Sequence, residues 1–307
     1  MIVQPQPPDP RAARDARTYA SAATRSADRV IDSYSTSFGA ATRLLGAPVR
    51  ARVRSIYALV RVADEIVDGA ALGSGLTPEQ IAEALDEYEA RTEQALASGF
   101  SSDLVVHAFA LTARSCGITT ELTGPFFASM RADLTVTEHD PDSFEEYVYG
   151  SAEVVGLMCL HVFATDRSPV PVAPSPQLLD GARRLGAAFQ KVNFLRDLRA
   201  DAEGRGRSYF PGVDPATLTE DEKRTLLADI RGDLAAAGAA IEQLPDTSRT
   251  AVRTVHDLFA ALADRLERTD AASLRTSRVR VPDAQKTAII TRAVLRERRP
   301  RRRRSRA

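Results

Sequence analysis

The chain has 307 residues, of which 44% are hydrophobic and 27% charged, and its basic and acidic residues balance to zero net charge. This composition is that of an ordinary soluble globular protein with enough chain to bury a large core. Two cysteines, Cys116 and Cys159, exclude a disulfide framework and, in apolar surroundings, indicate core thiols in a reducing compartment.

Helical patterning dominates from about residue 15 onward, and no segment has the alternating pattern of a strand. Residues 1–14 begin with the Pro-rich MIVQPQPPDP, lack the apolar segment of a signal peptide and are predicted to be a flexible leader. The longest apolar run, VVGLMCLHVFA at 154–164, is too short to span a bilayer and predicts a buried helix. Gly- and Pro-rich loops separate helices predicted at 15–33, 36–46, 50–69, 78–98, 101–115, 119–137, 143–164, 176–202, 220–243, 248–270 and 283–298.

One all-α domain over residues 15–295 accounts for this pattern, since no repeat and no boundary between separate cores is visible. Residues 296–307, RERRPRRRRSRA, contain eight arginines and are predicted to form a disordered tail. An anionic membrane surface is a candidate partner for this tail. No nucleic acid partner is expected. The predicted location is cytoplasmic, and a peripheral association with the inner face of the membrane stays open.

Residues 61–69, RVADEIVDG, insert three carboxylates and an arginine into an otherwise apolar helix. At about 100° per residue, the polar side chains that fall within about 60° of one another are Tyr57, Arg61, Asp64 and Asp68. A surface helix has the opposite pattern, with a broad polar face and a narrow apolar stripe. We therefore expect a buried helix whose charged side chains face a cavity or a second polar face.

A second helix repeats this arrangement within RRLGAAFQKVNFLRDLRADA, residues 183–202. Its narrow polar face consists of Gln190, Asn193, Asp197 and Asp201. A single DxxxD pair is usually a solvated helix face, but two copies on apolar helices with matching polar companions favour a shared site. Together the two helices would set four carboxylates across one cavity.

Four carboxylates in one cavity would repel one another and would be costly to bury. A divalent cation resolves this conflict, and oxygen ligands with room for water and phosphate suit magnesium. Zinc is disfavoured because the sequence has no cluster of cysteine and histidine ligands. The residues alone therefore predict a magnesium site between the two helices.

The two polar faces belong to longer segments of distinctive sequence. Four such segments are YSTSFGAATRLLGAPVRARVRSIYALVRVADEIVD (34–68), YVYGSAEVVGLM (147–158), FQKVNFLRDLRADAEGRGRSYFP (189–211) and SRVRVPDAQKTAII (277–290). They resemble signatures of the phytoene/squalene synthase family, and the resemblance covers about residues 25–295. It is greatest to the bacterial phytoene synthases.

The resemblance implies an all-α isoprenoid-synthase-type helical bundle around a central cavity, with Mg²⁺ as cofactor and Mn²⁺ as a substitute. The implied reaction joins two geranylgeranyl diphosphates head to head, through prephytoene diphosphate, to phytoene, and needs no NADPH. By position, the implied metal ligands are Asp64, Asp68, Asn193, Asp197 and Asp201. The residues that match diphosphate- or substrate-contacting positions are Tyr34, Ser35, Ser37, Tyr57, Arg61, Gln190, Asn193, Arg196, Arg207, Tyr209 and Arg278.

Side-chain chemistry suggests roles for some of these residues. Arg61 and Arg196 can stabilise the charge of a leaving diphosphate, and the ring of Phe38 can face a carbocation. Tyr57 or the released diphosphate could accept the final proton, and the sequence does not choose between them. One departure from the family pattern is Ala200, which occupies a position where relatives commonly have Glu.

Two alternatives stay open. A dehydrosqualene or squalene synthase that uses farnesyl diphosphate would share these motifs and differ in the depth of its pocket. A non-catalytic assembly factor of the same fold would be expected to lose metal-binding carboxylates, and four are present here.

Overall fold

In the computed structural model, which describes residues 9–35 and 37–298, the chain folds into a bundle of α-helices, and the described residues form no β-strand. The only strand-like pairing in this part of the chain is an isolated bridge between Glu138 and Ser208. A π-helical turn, Tyr149–Glu153, joins the eighth and ninth helices without a break. The helices are α1 (Pro10–Tyr34), α2 (Ser37–Thr42), α3 (Ala47–Asp68), α4 (Ala70–Gly73), α5 (Pro78–Ser98), α6 (Leu104–Cys116), α7 (Thr120–Ala132), α8 (Pro141–Val148), α9 (Val154–Thr165), α10 (Pro176–Arg205), α11 (Glu220–Ile241), α12 (Asp246–Arg268), α13 (Ala271–Leu274) and α14 (Asp283–Arg298).

Helix ends follow the local sequence. A capping box between Thr77 and Gln80 begins α5, which ends at Gly99 in the left-handed conformation, φ 82°. Ser175 caps α10 by accepting a hydrogen bond from the backbone of Leu178. Such signals explain why most predicted helices appear within a few residues of their expected bounds.

Two predicted boundaries need correction. Helix α1 begins at Pro10, inside the stretch 1–14 that was predicted to be a flexible leader, because Asp9 caps the helix and proline fits its first position. Helix α14 continues to Arg298, so the first residues of the predicted tail 296–307 are helical. Residues 1–8 and 299–307 lie outside the described part of the chain.

Two clusters of buried side chains form the core. One gathers residues of α3, α6 and α9, such as Leu59, Phe109 and Met158. The other gathers residues of α10, α11 and α12, such as Val192 and Ile230. Side chains from both groups of helices line one central cavity, which confirms the prediction of a single helical bundle around a cavity.

The central helix, Pro141–Thr165, is continuous through the π-helical turn. It is the one helix of the described chain that is long and apolar enough to cross a membrane by length and composition. Its side chains Val154, Met158 and Val162 are fully buried within the bundle. The apolar run at 154–164 thus belongs to a buried helix, as predicted, but this helix is longer than the run because the π-helical turn joins α9 to α8.

Candidate active site

The central cavity has a volume of about 600 Å³ and two chemically different ends. At one end lie the carboxylates of α3 and α10. At the other, apolar and small side chains such as Ile31, Leu45, Val155 and Phe163 line the wall. A cavity of this kind can take a ligand with an anionic head and a long apolar chain.

The polar face predicted on α3 lines this cavity through all four of its residues, Tyr57, Arg61, Asp64 and Asp68. Arg61 forms ion pairs with Glu65, one turn on, and with Asp64 at 3.8 Å. Its guanidinium also lies 4.4 Å from the centre of the Tyr34 ring. The Glu65 side chain is also held by a hydrogen bond that its Oε2 accepts from the backbone N–H of Ala70.

The polar face predicted on α10 lines the opposite side of the same cavity, and its members are Gln190, Asn193, Asp197 and Asp201. Asp197 forms ion pairs with two arginines. Arg196 lies beside it on the same helix, and Arg278 reaches it from the segment before α14, with 2.5 Å between Nε and Oδ1. The residues of the two sequence motifs therefore share one cavity, as the sequence predicted.

Arg207 connects the acidic face of α3 with the segment that follows α10. Its side chain is buried, its Nη2 donates to Asp68 Oδ1 at 2.8 Å, and its Nη1 donates to the Tyr209 hydroxyl at 3.2 Å. Tyr209 itself lines the cavity and stacks on Phe194 with 3.9 Å between ring centres. Arg207 thus acts as a counter-ion to a predicted metal ligand in this structure.

The link between α1 and α3 contributes the remaining predicted residues. Ser35 hydrogen-bonds with Tyr57 and accepts from the backbone N–H of Phe38 at 3.1 Å. Phe38 lines the cavity and lies 6.3 Å from Phe189 and 6.1 Å from Phe259, centre to centre. Ser37 begins α2, and its side chain lies outside the described part of the chain.

Burial shapes the electrostatics of this site. Desolvation raises the pKa of Asp64 to about 7, and the like charges of Asp68, Asp133 and Glu65 add to the rise against the opposing effect of Arg61. Asp64 is partly exposed, but it lines the cavity, so protein surrounds the part of its surface that is accessible. Desolvation also raises the pKa of the Tyr57 hydroxyl, while Arg61 lowers it.

The residues fit magnesium together with an anionic ligand. Among the described residues, no three acidic, histidine or cysteine side chains lie close enough together to hold an ion by themselves. Magnesium usually takes one or two carboxylates and fills its remaining positions with water and phosphate oxygens. Asp64, Asp68, Asp197 and Asp201 all line this one cavity, and a divalent cation would offset the repulsion among their charges.

Two buried polar atoms of cavity residues lack a hydrogen-bond partner within the described structure, Arg61 Nε and Ser151 Oγ. Buried polar groups are nearly always satisfied in native proteins. A donor on a guanidinium and a hydroxyl are both suited to oxygen atoms of a bound ligand. They support a polar ligand at this end of the cavity.

Sequence reasoning missed three residues of this site: Asp133, Tyr147 and Ser151. Asp133 lies directly after α7 and lines the cavity, but a single carboxylate at a helix end has no pattern to mark it. Ser151 lies in the π-helical turn, and such turns occur often at functional sites. A π-helical turn cannot be read from helical periodicity, because it shifts every following side chain.

The departure at Ala200 does not remove a carboxylate from the cavity. Ala200 is exposed, whereas its neighbour Asp201 is buried and lines the cavity. A side chain at position 200 lies on the solvent side of α10.

Comparison with known proteins decides the family. The sequence model of squalene/phytoene synthase matches residues 31–285. The chain belongs to the squalene/phytoene synthase family. This family member is 32% identical over 286 residues to phytoene synthase 3, chloroplastic, of Zea mays, which covers 86% of this chain and 63% of the maize protein. It is 28% identical over 255 residues to the 15-cis-phytoene synthase of Pantoea ananas, across 76% of this chain and 79% of the bacterial protein.

The matches to plant relatives cover about two fifths to two thirds of their length, 40% for phytoene synthase 1, chloroplastic, of Arabidopsis thaliana and 63% for the maize protein. Solved structures share the fold at lower sequence identity. A dehydrosqualene synthase has a TM-score of 0.73 at 18% identity, over 91% of this chain and 98% of its own. The squalene synthase HpnC of Alicyclobacillus acidocaldarius has a TM-score of 0.66 at 16% identity, over 82% and 95%.

Proposed function

We propose that this chain is a prenyltransferase of the phytoene synthase type, which joins two geranylgeranyl diphosphates through prephytoene diphosphate to phytoene. The observation that carries the proposal is a single cavity with two acidic, arginine-bearing helix faces at one end and apolar walls at the other. The similarity to plant and bacterial phytoene synthases supports the same reaction.

Magnesium, held by Asp64, Asp68, Asn193, Asp197 and Asp201, would neutralise the charge that develops on the leaving diphosphate. The chain's own cations would share this task. Arg61 lines the cavity and has an unpartnered Nε, and Arg196, Arg207 and Arg278 form ion pairs with Asp197 or Asp68. These arginines can turn from carboxylate to diphosphate oxygens, which are equally good acceptors for a guanidinium.

Loss of diphosphate leaves an allylic cation, which must be kept from water until the second substrate attacks it. The rings of Phe38, Phe189 and Phe259 contact one another beside the polar end of the cavity, and aromatic faces stabilise a nearby cation. Gln190 lines the cavity next to Phe189. The second substrate would attack this cation and lose a proton to give prephytoene diphosphate, whose own diphosphate then leaves. Rearrangement and loss of a second proton give phytoene, so no NADPH is needed. The released diphosphate would take the final proton, or Tyr57 would once its own proton is passed on.

A dehydrosqualene or squalene synthase acting on farnesyl diphosphate is the second candidate, supported by the shared fold of the solved structures. Both substrates use the same acidic end, so the apolar depth of the cavity separates them. A non-catalytic assembly factor is disfavoured, because the carboxylates of both motifs line the cavity.

The test is to incubate purified protein with Mg²⁺ and either geranylgeranyl or farnesyl diphosphate and to identify the hydrocarbon by mass spectrometry. We expect phytoene from the twenty-carbon substrate. Asp64→Asn and Asp197→Asn should each reduce turnover by at least about a hundredfold while the fold persists. Asp180→Asn, an exposed carboxylate on the outer side of α10, is the matched control. Undiminished turnover in either site variant, or in excess EDTA, would refute the metal assignment.

A further inference from the structure

Asp133, which follows α7, contacts both Tyr147 of α8 and Arg207 of the segment after α10. Asp133 is 8% exposed, and its Oδ1 accepts a hydrogen bond from the Tyr147 hydroxyl at 2.8 Å. The same oxygen lies 3.3 Å from Arg207 Nη1, and the backbone oxygen of Asp133 accepts from Arg207 Nη2 at 2.5 Å. One residue therefore supplies two acceptors to one guanidinium.

The chain around Arg207 is tied to the chain around Asp133. The backbone N–H of Ser208 donates to the Thr137 carbonyl at 2.8 Å, and Ser208 forms a bridge with Glu138. The backbone N–H of Arg207 donates to the Asp201 carbonyl at 3.1 Å, which keeps this segment against the end of α10. The guanidinium thus reaches Asp68, which lines the cavity, from a backbone that is held at two points.

Arg207 lies between two carboxylates that belong to different helices. Nη2 contacts Asp68 at 2.8 Å on the α3 side, while Asp133 holds the guanidinium from the α7 side. A buried charge that loses one of its partners is left poorly compensated and tends to move toward other acceptors or water. The Asp133 carboxylate is therefore one of the contacts that keep Arg207 beside Asp68.

We propose that Asp133 is a positioning residue, which holds Arg207 at the acidic end of the cavity so that its guanidinium can bind the diphosphate of the substrate. The inference rests on the proposed function, since it names a residue that prepares the same site. Asp133 acts through Arg207: its two acceptors fix the orientation of the guanidinium, and a diphosphate can then take over the contact that Asp68 makes in the free protein.

The test measures the affinity of the purified chain for inorganic pyrophosphate in the presence of MgCl₂ by titration calorimetry. The variants are Asp133→Asn, Arg207→Lys and their combination. Lysine keeps the buried positive charge but cannot engage two acceptors and Asp68 together. Asp86→Asn, which removes a carboxylate from the exposed pair with Arg131, is the control. Circular dichroism and thermal melting establish that each variant is folded.

We expect Asp133→Asn and Arg207→Lys each to weaken pyrophosphate binding about tenfold, and the double variant to be no weaker than Arg207→Lys alone. Losses that multiply in the double variant would show that Asp133 acts independently of Arg207 and would overturn the proposal. Wild-type affinity in Asp133→Asn would do the same. The value of kcat/KM for the prenyl diphosphate should fall by the same factor in the two single variants.

Tyr147→Phe provides a second route if Asp133→Asn does not fold, because it removes the hydrogen bonds of the Tyr147 hydroxyl with Asp133 Oδ1 and Tyr209 and keeps the Asp133 carboxylate. We expect a loss of about threefold in pyrophosphate affinity, absent when Arg207 is already lysine. An equal loss in both backgrounds would contradict the proposal. Failure of the wild-type chain to bind pyrophosphate would instead refute the proposed function, so the two failures are distinct.

Discussion

Gly186 of α10 lies against Ala152 of the π-helical turn so closely that a Cβ on Gly186 would be 2.6 Å from the Ala152 carbonyl oxygen. A second contact at the same helix crossing has the glycine on the other helix: a Cβ on Gly156 of α9 would be 2.7 Å from the carbonyl oxygen of Ala182 in α10. Two helices can approach this closely only where one of the two residues at each contact is a glycine, without a side chain. The approach brings the polar face of α10, which begins at Gln190, to the wall of the cavity.

We predict that Gly186→Ala destabilises the protein by about 1–3 kcal/mol, because the added methyl group meets backbone atoms that cannot move independently. The measurement is the free energy of unfolding from chemical denaturation. Activity should fall as well, since α10 would shift away from the central helix.

Gly232→Ala on α11 is the matched control, because a Cβ there meets no atom within 4 Å. It should stabilise the protein by about 0.5–1 kcal/mol, the usual gain when alanine replaces glycine inside a helix. A Gly186→Ala variant as stable as Gly232→Ala would disprove the close crossing.

The raised pKa of Asp64, about 7 against an ordinary value near 3.9, predicts a pH dependence of stability. The folded chain keeps this proton to higher pH than the unfolded chain, so Asp64 lowers stability as pH rises from about 4 to about 7. Without divalent cation, Asp64→Asn should therefore melt at a higher temperature than the wild type at pH 8 and at the same temperature near pH 4.

Thermal melting over this pH range, in EDTA, provides the check. Asp180→Asn, on an exposed side chain, should follow the wild type throughout. An Asp64→Asn curve parallel to the wild type at every pH would contradict the shift.

Substrate length is predicted to depend on Ala41, which is 2% exposed and lines the cavity beside Thr42 and Leu45. The alternative explanation, that small residues here serve only close helix packing, finds no support at Gly39, where a Cβ would meet nothing within 4 Å. Phenylalanine at position 41 should therefore fill the apolar end and leave the acidic end intact.

Ala41→Phe is expected to lose turnover of geranylgeranyl diphosphate and to keep or gain turnover of farnesyl diphosphate. Ala40→Phe, at a half-buried neighbour outside the cavity lining, controls for the added ring. Product analysis with both substrates decides. If the wild type already prefers farnesyl diphosphate, the phytoene assignment is wrong and the second candidate takes its place.

We propose that the arginine-rich residues 296–307 bind anionic membrane surfaces, where each arginine contributes at most about 1 kcal/mol. Deletion of residues 299–307 leaves α14 complete. It should abolish salt-sensitive binding to vesicles that contain anionic lipid, with turnover in detergent unchanged. Equal vesicle binding by the truncated chain would exclude the tail as the anchor.

The sequence determined the fold class and the two acidic faces. Helix periodicity and capping residues are local properties, so α3 and α10 could be predicted together with their polar faces. Charged residues are unusual on apolar helices, and this indicated that Asp64 and Asp197 belong to one site. The paired motifs then placed nearly the whole chain in one family.

Only the tertiary structure decided how those faces are completed. The contact of Arg207 with both Asp68 and Asp133 joins residues far apart in the chain, and no local pattern encodes such a distance. The π-helical turn likewise depends on packing. Pro125 and Ser129 leave no room for a side chain at position 150, so only glycine fits there. Local sequence specifies which side chains share a helix face, whereas the partners of a buried charge are chosen by the helices that close around it.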